Sequence, residues 1–233
     1  MSDLTGKVYL LTGGGGAIAG SIADTFAKAG ARLALVDRQL EHVEERAKAL
    51  GGVAFSADLS SFDQVRTLVS QVRQRMDRLD GLIHTVGGFS AGRVVESDPA
   101  LYDRLFDLNV RTLFYCTRAV LPVLLERNDG FIAGISAGAA WRGAGPGMAL
   151  YTAAKSAVAA FLRSLDAELK GTNVRVAVVY PMGTVDTPAN RRDMPDADPT
   201  TWIDPAEIAQ TLLYAASRSA RGRVLELPVY PPR

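Results

Sequence analysis

The chain has 233 residues, 48% of them hydrophobic and 22% charged, with a formal net charge of +1. That length suits one large α/β domain with a full core, and the near-neutral balance argues against nucleic acid as the main partner, since no basic excess would drive counterion release. Cys116 is the only cysteine and there are two histidines, so an internal disulfide is excluded and no metal site is expected.

The N-terminus, MSDLTGKVYLL, lacks the cationic region and long apolar run of a signal. No apolar run reaches the roughly 18 to 20 residues that span a bilayer. A soluble, cytoplasmic chain with no membrane partner is therefore expected. The first apolar run, at 7–12, enters the cluster Gly13-Gly14-Gly15-Gly16, and a small-residue helical stretch leaves it at Ala17. Backbone N–H groups at a helix N-terminus are unpaired donors at the positive end of a dipole, which suits a pyrophosphate. Glycine permits φ > 0 in such a turn and lets a phosphate approach the backbone. Ala17 and Ala19 each add a methyl group where loops of this kind usually hold glycine. The first helix is therefore expected slightly farther from a bound pyrophosphate. A position between strand and helix favours a dinucleotide loop over a plain turn.

The second run, at 32–37, ends on Asp37. A carboxylate there can accept hydrogen bonds from the adenosine ribose hydroxyls and would repel a 2′-phosphate, favouring NAD(H); its alternative is a helix N-cap. Arg38, beside it, could pair with that phosphate, which keeps NADP(H) open. After a helix at 40–50 and a third strand at 52–58, Asp58 could cap the next helix, at 61–76, or accept from the adenine amino group. The fourth run, at 79–87, carries His84, read as a satisfied strand-end imidazole rather than a metal ligand. In the long amphipathic stretch 100–127, Cys116 is expected to be buried and inert.

A fifth strand at 130–136 precedes a helix that opens with Tyr151-Thr-Ala-Ala-Lys155. Residues four apart share a helix face. A free tyrosine, with a pKa near 10, is a poor proton donor or acceptor at neutral pH, and a nearby ammonium lowers that value. Tyr151 could then protonate a carbonyl oxygen as hydride arrives at carbon, while Lys155 holds the nicotinamide ribose. The sixth run, at 174–181, leads into residues 182–204, dense in Pro, Asp and Thr. A stretch of that length at the ligand edge of an α/β sheet reads as a substrate loop rather than an ordinary surface loop. A helix at 205–217 and a strand at 222–228 complete the pattern. Regular alternation implies a single-domain, Rossmann-type doubly wound parallel sheet of about seven strands, with helices on both faces, over residues 1–233.

Together, TGGGGAIAG, Asp37, ADL at 57–59, TVGG at 85–88, Asn109 in LNV, YTAAK and YPMGTVDTP make the chain resemble a short-chain dehydrogenase/reductase over nearly its whole length. The resemblance implies hydride transfer between NAD(H) and a small-molecule substrate. Tyr151 and Lys155 would be catalytic, and Asn109 would support a proton relay through the lysine. Thr12, Gly13, Gly16, Ala17 and Ile18 of the loop, with Asp37, Arg38, Asp58 and Leu59, would hold adenosine and pyrophosphate. Val86, Gly87 and Gly88 would stand where an Asn-Ala-Gly turn lines the cofactor. Pro181 would lie on the cofactor side, and Thr187 would contact the nicotinamide amide. The family also implies a homo-oligomer, tetramer or dimer, paired through the 100–127 and YTAAK helices.

One departure concerns the serine that follows the fifth strand in this family. Ala137 falls at that position, with Ser136 one residue early. A register shift would make Ser136 catalytic; otherwise it is a strand-end hydroxyl satisfied by backbone. The segment 186–202, GAAWRGAGPGMALYTAAK and VGGFSAG are similar to dihydropteridine reductases of the same superfamily, which prefer NADH and carry alanine in place of the serine. A pterin-like substrate therefore stands beside a small carbonyl compound or alcohol. Ala137 also motivates a rival of another class, an NAD-binding sensor or structural subunit without turnover; the intact Tyr151–Lys155 pair argues against it.

Overall fold

The computed structural model describes residues 3–143, 145–219 and 221–233. Seven strands form one parallel sheet: β1 (Val8–Thr12), β2 (Arg32–Asp37), β3 (Val53–Ser56), β4 (Gly81–His84), β5 (Gly130–Ile135), β6 (Val174–Pro181) and β7 (Glu226–Val229). Their order is β3-β2-β1-β4-β5-β6-β7, so the winding reverses between β1 and β4. Ligands of open α/β sheets bind at such a switch point, beyond the carboxyl ends of the strands.

Alternate side chains of β1 explain the two covering layers. Leu10 points into a core built with α3 (Phe62–Met76), α5 (Thr112–Arg127) and α7 (Ala149–Glu168). Tyr9 and Leu11 point into the other, with α1 (Ala17–Lys28), α2 (Glu41–Ala49) and α9 (Pro205–Ala216). Every residue of β1 is buried, as a strand covered on both faces requires. Phe26 of α1 meets Tyr9 edge-on at 5.3 Å, each ring adding about 1.5–3 kcal/mol by burial.

The register of β1 against β4 is set from below. The buried Asp80 carboxylate accepts from the Val8 N–H at 2.8 Å and takes two bonds from Arg78 at 2.7 and 2.6 Å. Burial opposes its charge, but these bonds hold its carboxyl below the usual carboxylate range. Four paired positions then bring Thr12 opposite His84.

The expected strand 79–87 stops at His84 because β1 ends at Thr12, leaving residues 85–87 no ladder partner on that side. The expected strand 222–228 becomes 226–229, since β7 pairs with only the last four residues of β6. The stretch expected at 100–127 is α4 (Pro99–Phe106), a π-helical turn at Asp107–Arg111, and α5. By length and composition this continuous helix could cross a membrane, the one described helix that could, although no such run was expected. Its inner face is instead packed on the sheet, where Leu113, Cys116, Val120 and Leu124 are fully buried. Burial pushes the Cys116 thiol up to about 12, which keeps it protonated. Two short helices were not expected: α6 (Gly138–Arg142), after β5, and α8 (Pro188–Asp193), within 182–204. Thr187 caps α8 by accepting from the Asn190 N–H at 3.1 Å. A bridge between Val185 and Ile203 closes the base of that segment.

Candidate cofactor and active site

The glycine loop leaves β1 with Gly13 at φ +65°, a conformation that side chains other than glycine rarely adopt. A methyl group there would also lie 3.1 Å from Thr85 Oγ1 and 3.2 Å from Val86 Cγ2. The Gly14 N–H donates to Val36 O and the Gly16 N–H to Gly13 O, at 3.0 and 2.9 Å, which folds the loop over the ends of β1 and β2. Gly16 is the N-cap of α1 and supplies no side chain, so no side-chain acceptor caps the first turn. That arrangement fits a pyrophosphate, whose oxygens can take the uncapped donors. Of the two alanines, Ala19 is 1% exposed and packs into the α1–α9 core. Ala17 keeps partial exposure on the cleft wall.

At the end of β2, Asp37 Oδ2 accepts from the Gly15 N–H at 3.1 Å and Oδ1 from the Arg38 N–H at 2.8 Å. Asp37 caps no helix, since α2 starts four residues later. Asp58 forms its own turn instead of capping α3: Oδ1 accepts from the backbone and hydroxyl of Ser60, at 2.9 and 2.7 Å, and these bonds lower its pKa. The N-cap of α3 is Ser61.

Behind the cleft, His84 is fully buried and neutral. Burial pulls its imidazole down to about 3, with the Lys155 charge acting the same way. Its neighbours fix one proton arrangement. The Thr112 hydroxyl donates to Leu108 O at 2.7 Å, so it accepts from His84 Nε2–H at 3.1 Å. His84 Nδ1 must then accept from the Thr12 hydroxyl at 3.0 Å, and Thr12 Oγ1 accepts from the Thr85 N–H at 3.2 Å. Thr12 is thus part of the wall rather than of its surface.

Tyr151 and Lys155 stand one turn apart at the start of α7. Lys155 Nζ donates to Ile135 O at 3.0 Å. Burial pulls the lysine down to about 8 and pushes Tyr151 up to about 12. The expected lowering of the Tyr151 pKa by Lys155 is therefore absent from the cofactor-free protein: both charged forms suffer from desolvation, and the ammonium is turned to a backbone carbonyl. Asn109, in the π-helical turn, is buried and braces Gly88 from both sides. Its Oδ1 accepts from the Gly88 N–H at 3.2 Å, and Nδ2 donates to Gly88 O and Leu105 O at 3.1 and 2.8 Å. A methyl group on Gly87 would lie 2.7 Å from Asn109 Oδ1 and 2.9 Å from Lys155 Nζ. Glycine is needed there by close approach alone.

Ser136 lies on the cleft wall, in the setting of the backbone-satisfied alternative. The register does not shift, because the Ser136 N–H donates to Val179 O and continues the sheet. Its hydroxyl, 2% exposed, donates to the backbone O of Lys155 at 2.8 Å and so joins β5 to α7. Ala137 caps the start of α6 and lines the cleft.

Two cavities meet along the carboxyl edge of the sheet. One, of about 1160 Å³, is walled by Gly13, Gly16, Ala17, Asp37, Arg38 and Asp58, with Leu59 and Val86 beside them. The other, of about 940 Å³, is walled by Gly88, Phe89, Tyr151, Lys155, Pro181 and Met182. Ile18, Thr85, Gly87 and Thr187 line both, so the two form one elongated cleft. Its length and its two chemically distinct ends fit a dinucleotide with a substrate beside one end. Thr85, the first residue of the TVGG motif, joins the wall beside the expected Val86, Gly87 and Gly88. Phe89 meets Tyr151 edge-on at 4.9 Å.

The family model described as short chain dehydrogenase matches residues 7–198. An uncharacterized oxidoreductase of Staphylococcus saprophyticus is 28% identical over 242 residues, covering 99% of this chain and 100% of that protein. The 2-(S)-hydroxypropyl-CoM dehydrogenase 3 of Xanthobacter autotrophicus is 32% identical over 212 residues, covering 89% and 82%. Among solved structures, 3-ketoacyl-(acyl-carrier-protein) reductase from Brucella melitensis, complexed with NADH, matches with a TM-score of 0.87 and 26% identity over 97% of this chain and 98% of that one.

The buried His84 makes stability depend on pH. Below the ordinary histidine range the unfolded chain takes up a proton that the folded imidazole, held down to about 3, refuses. The contribution is complete above about pH 6.5 and is lost toward pH 3, at about 1.4 kcal/mol per unit. Urea denaturation at about pH 7 and about pH 4.5 should show this loss, with a shallower loss in His84→Gln. Equal pH dependence in the two proteins would rule out His84 as its source.

Proposed function

The chain belongs to the short-chain dehydrogenase family and is an NAD(P)-dependent oxidoreductase; we propose that it prefers NAD(H) and interconverts the carbonyl and alcohol forms of a small molecule, with Tyr151 as general acid or base. The observation that carries this reading is the opening of Tyr151 and Lys155 into the same cleft as the uncapped α1 N-terminus. When bound, the nicotinamide supplies hydride to the carbonyl carbon or accepts it from the carbinol carbon.

The remaining work falls to side chains. Tyr151 gives its proton to the carbonyl oxygen in reduction and takes it back in oxidation, so hydride and proton together complete the C–H and O–H bonds. With its pKa near 12 in the free protein, the phenol is protonated at neutral pH, as the acid of a reduction must be. The Lys155 ammonium, charged below about pH 8, stabilises the phenolate left behind. Asn109 holds the Gly87–Gly88 turn against Lys155 and supports the proton path through the lysine. Ser136 positions α7 through its bond to the Lys155 carbonyl. Ala137 offers the substrate oxygen no hydroxyl, which suits an electron-poor acceptor, a quinonoid dihydropterin among them. Residues 182–204 act as the substrate loop, with Thr187, Asn190 and Met194 over the cleft. The exposed Phe114 and Tyr102 on the α4–α5 helix belong to a homotetramer contact. Sedimentation velocity at micromolar protein should then give four-subunit mass, and a single-subunit species would remove that assignment.

Tyr151→Phe should cut kcat by about 10² to 10⁴-fold and leave NADH affinity nearly unchanged, as read by steady-state kinetics and calorimetry. Should the parent protein bind NADH yet reduce no ketone, quinone or quinonoid dihydropterin, it is a sensor or structural subunit instead. Asp37→Ala should raise NADPH affinity relative to NADH, because the carboxylate that repels a 2′-phosphate is gone. Equal affinities for the two cofactors in the parent protein would sink the NAD(H) preference.

A further inference from the structure

We propose that the substrate end of the cleft takes a molecule with an apolar body and a terminal carboxylate, held by Arg142 and Tyr230. This deepens the oxidoreductase reading and rests on it for the identity of the ligand as substrate.

The lining of the 940 Å³ cavity is unbalanced in charge. Its described walls include no Asp or Glu, and its cations are Lys155 and Arg142. Lys155 is bonded to Ile135 O. Arg142, at the end of α6, has no carboxylate within ion-pair distance among the described residues, whereas Arg78, Arg191 and Arg46 each have one. The same walls carry Phe89, Met148, Met182 and Met194. Thioethers and an aromatic ring accept apolar bodies of varied shape. A ligand that meets both Tyr151 and Arg142 in this cavity therefore has apolar walls for its body and one unpaired cation for an anionic group.

That cation is pre-set for a carboxylate. Arg142 Nη2 donates to the Tyr230 hydroxyl at 2.8 Å, and the guanidinium lies 5.3 Å from the Tyr230 ring centre. The bond uses one of five N–H groups, leaving others for a two-pronged contact. The Tyr230 oxygen accepts from Arg142, so its own proton is free to go to the same anion. Both partners are tied to the fold. Trp141, next to Arg142, meets Tyr180 edge-on at 4.7 Å. The tail carrying Tyr230 is held where the Met182 N–H donates to Val229 O at 2.8 Å. A guanidinium already held by Tyr230 loses less freedom on binding than an unrestrained surface arginine. Arg142 is exposed, so its charge costs little in the free protein, and the gain on binding is that of one charge-assisted contact.

Isothermal titration of NAD⁺-saturated protein with hydrocinnamate and with its neutral amide tests the assignment. The acid should bind about tenfold or more tightly than the amide, the worth of one charge-assisted hydrogen bond. Arg142→Met should abolish the difference, Arg142→Lys should restore part of it, and Tyr230→Phe should narrow it. Equal binding of acid and amide by the parent protein, no binding of the acid at millimolar concentration, or a preference surviving in Arg142→Met would each overturn the proposal. The acid-to-amide comparison in the parent protein decides the matter even if Arg142→Met does not fold. Turnover of an aryl keto acid against its methyl ester separates the two readings. Arg142-dependent binding with neither compound reduced leaves the anion site standing and removes the oxidoreductase reading for such substrates.

Discussion

Where β4 lies beside β1, both strands end at the same level, and the cleft hangs from that pairing. The Asp80 carboxylate sets the register at one end by accepting from the Val8 N–H. At the other, Thr12, His84 and Thr112 form a buried hydrogen-bond chain that joins β1, β4 and α5. Each group in that chain has one proton arrangement open to it, so the strand ends are held at a defined height. The glycine loop then leaves from Thr12, the Thr85–Gly88 wall from His84, and the π-helical turn with Asn109 from just before Thr112. A one-residue slip would orphan several buried polar atoms at once, each costing about 1–3 kcal/mol. The geometry of the ligand site is thus a consequence of strand pairing rather than of the loops.

The chemistry of the cleft follows from how far Tyr151 and Lys155 are withdrawn from water. Tyr151 and Lys155 are driven toward their neutral forms by burial, in opposite directions on the pH scale. The Lys155 ammonium is satisfied by Ile135 O, and the Lys155 carbonyl by the Ser136 hydroxyl, so one residue is anchored at both its ends. Ser136 lies on the cleft wall beside Ala137, but its hydroxyl is taken up by that anchoring. Its proton is committed to the framework, and Ala137 presents a methyl group to the cleft.

The two halves of the cleft differ in kind. On the α1 side Asp37, Asp58 and the uncapped α1 N-terminus are polar groups of fixed geometry. On the α7 side methionines and Phe89 give adaptable apolar walls in a cavity that the Arg142–Tyr230 pair also lines. In the proposed function the first half takes a ligand that does not vary and the second takes one selected by shape and by one charge.

Much of this was legible in the sequence because it is periodic and local. Strands buried on both faces read as continuous apolar runs, the glycine cluster sits between a strand and a helix, and Tyr151 and Lys155 share a helix face by spacing alone. These features determined the doubly wound fold, the dinucleotide loop and the catalytic pair as candidates. Only the tertiary structure decided that Ser136 bonds to α7, that Asn109 braces Gly88 from a π-helical turn, and that 182–204 contains a capped helix. It also brought Arg142 to Tyr230 across 88 positions of chain. The reason is physical: local spacing sets which face a side chain occupies, whereas the partner of a buried donor depends on strand register and helix docking between segments far apart in the chain.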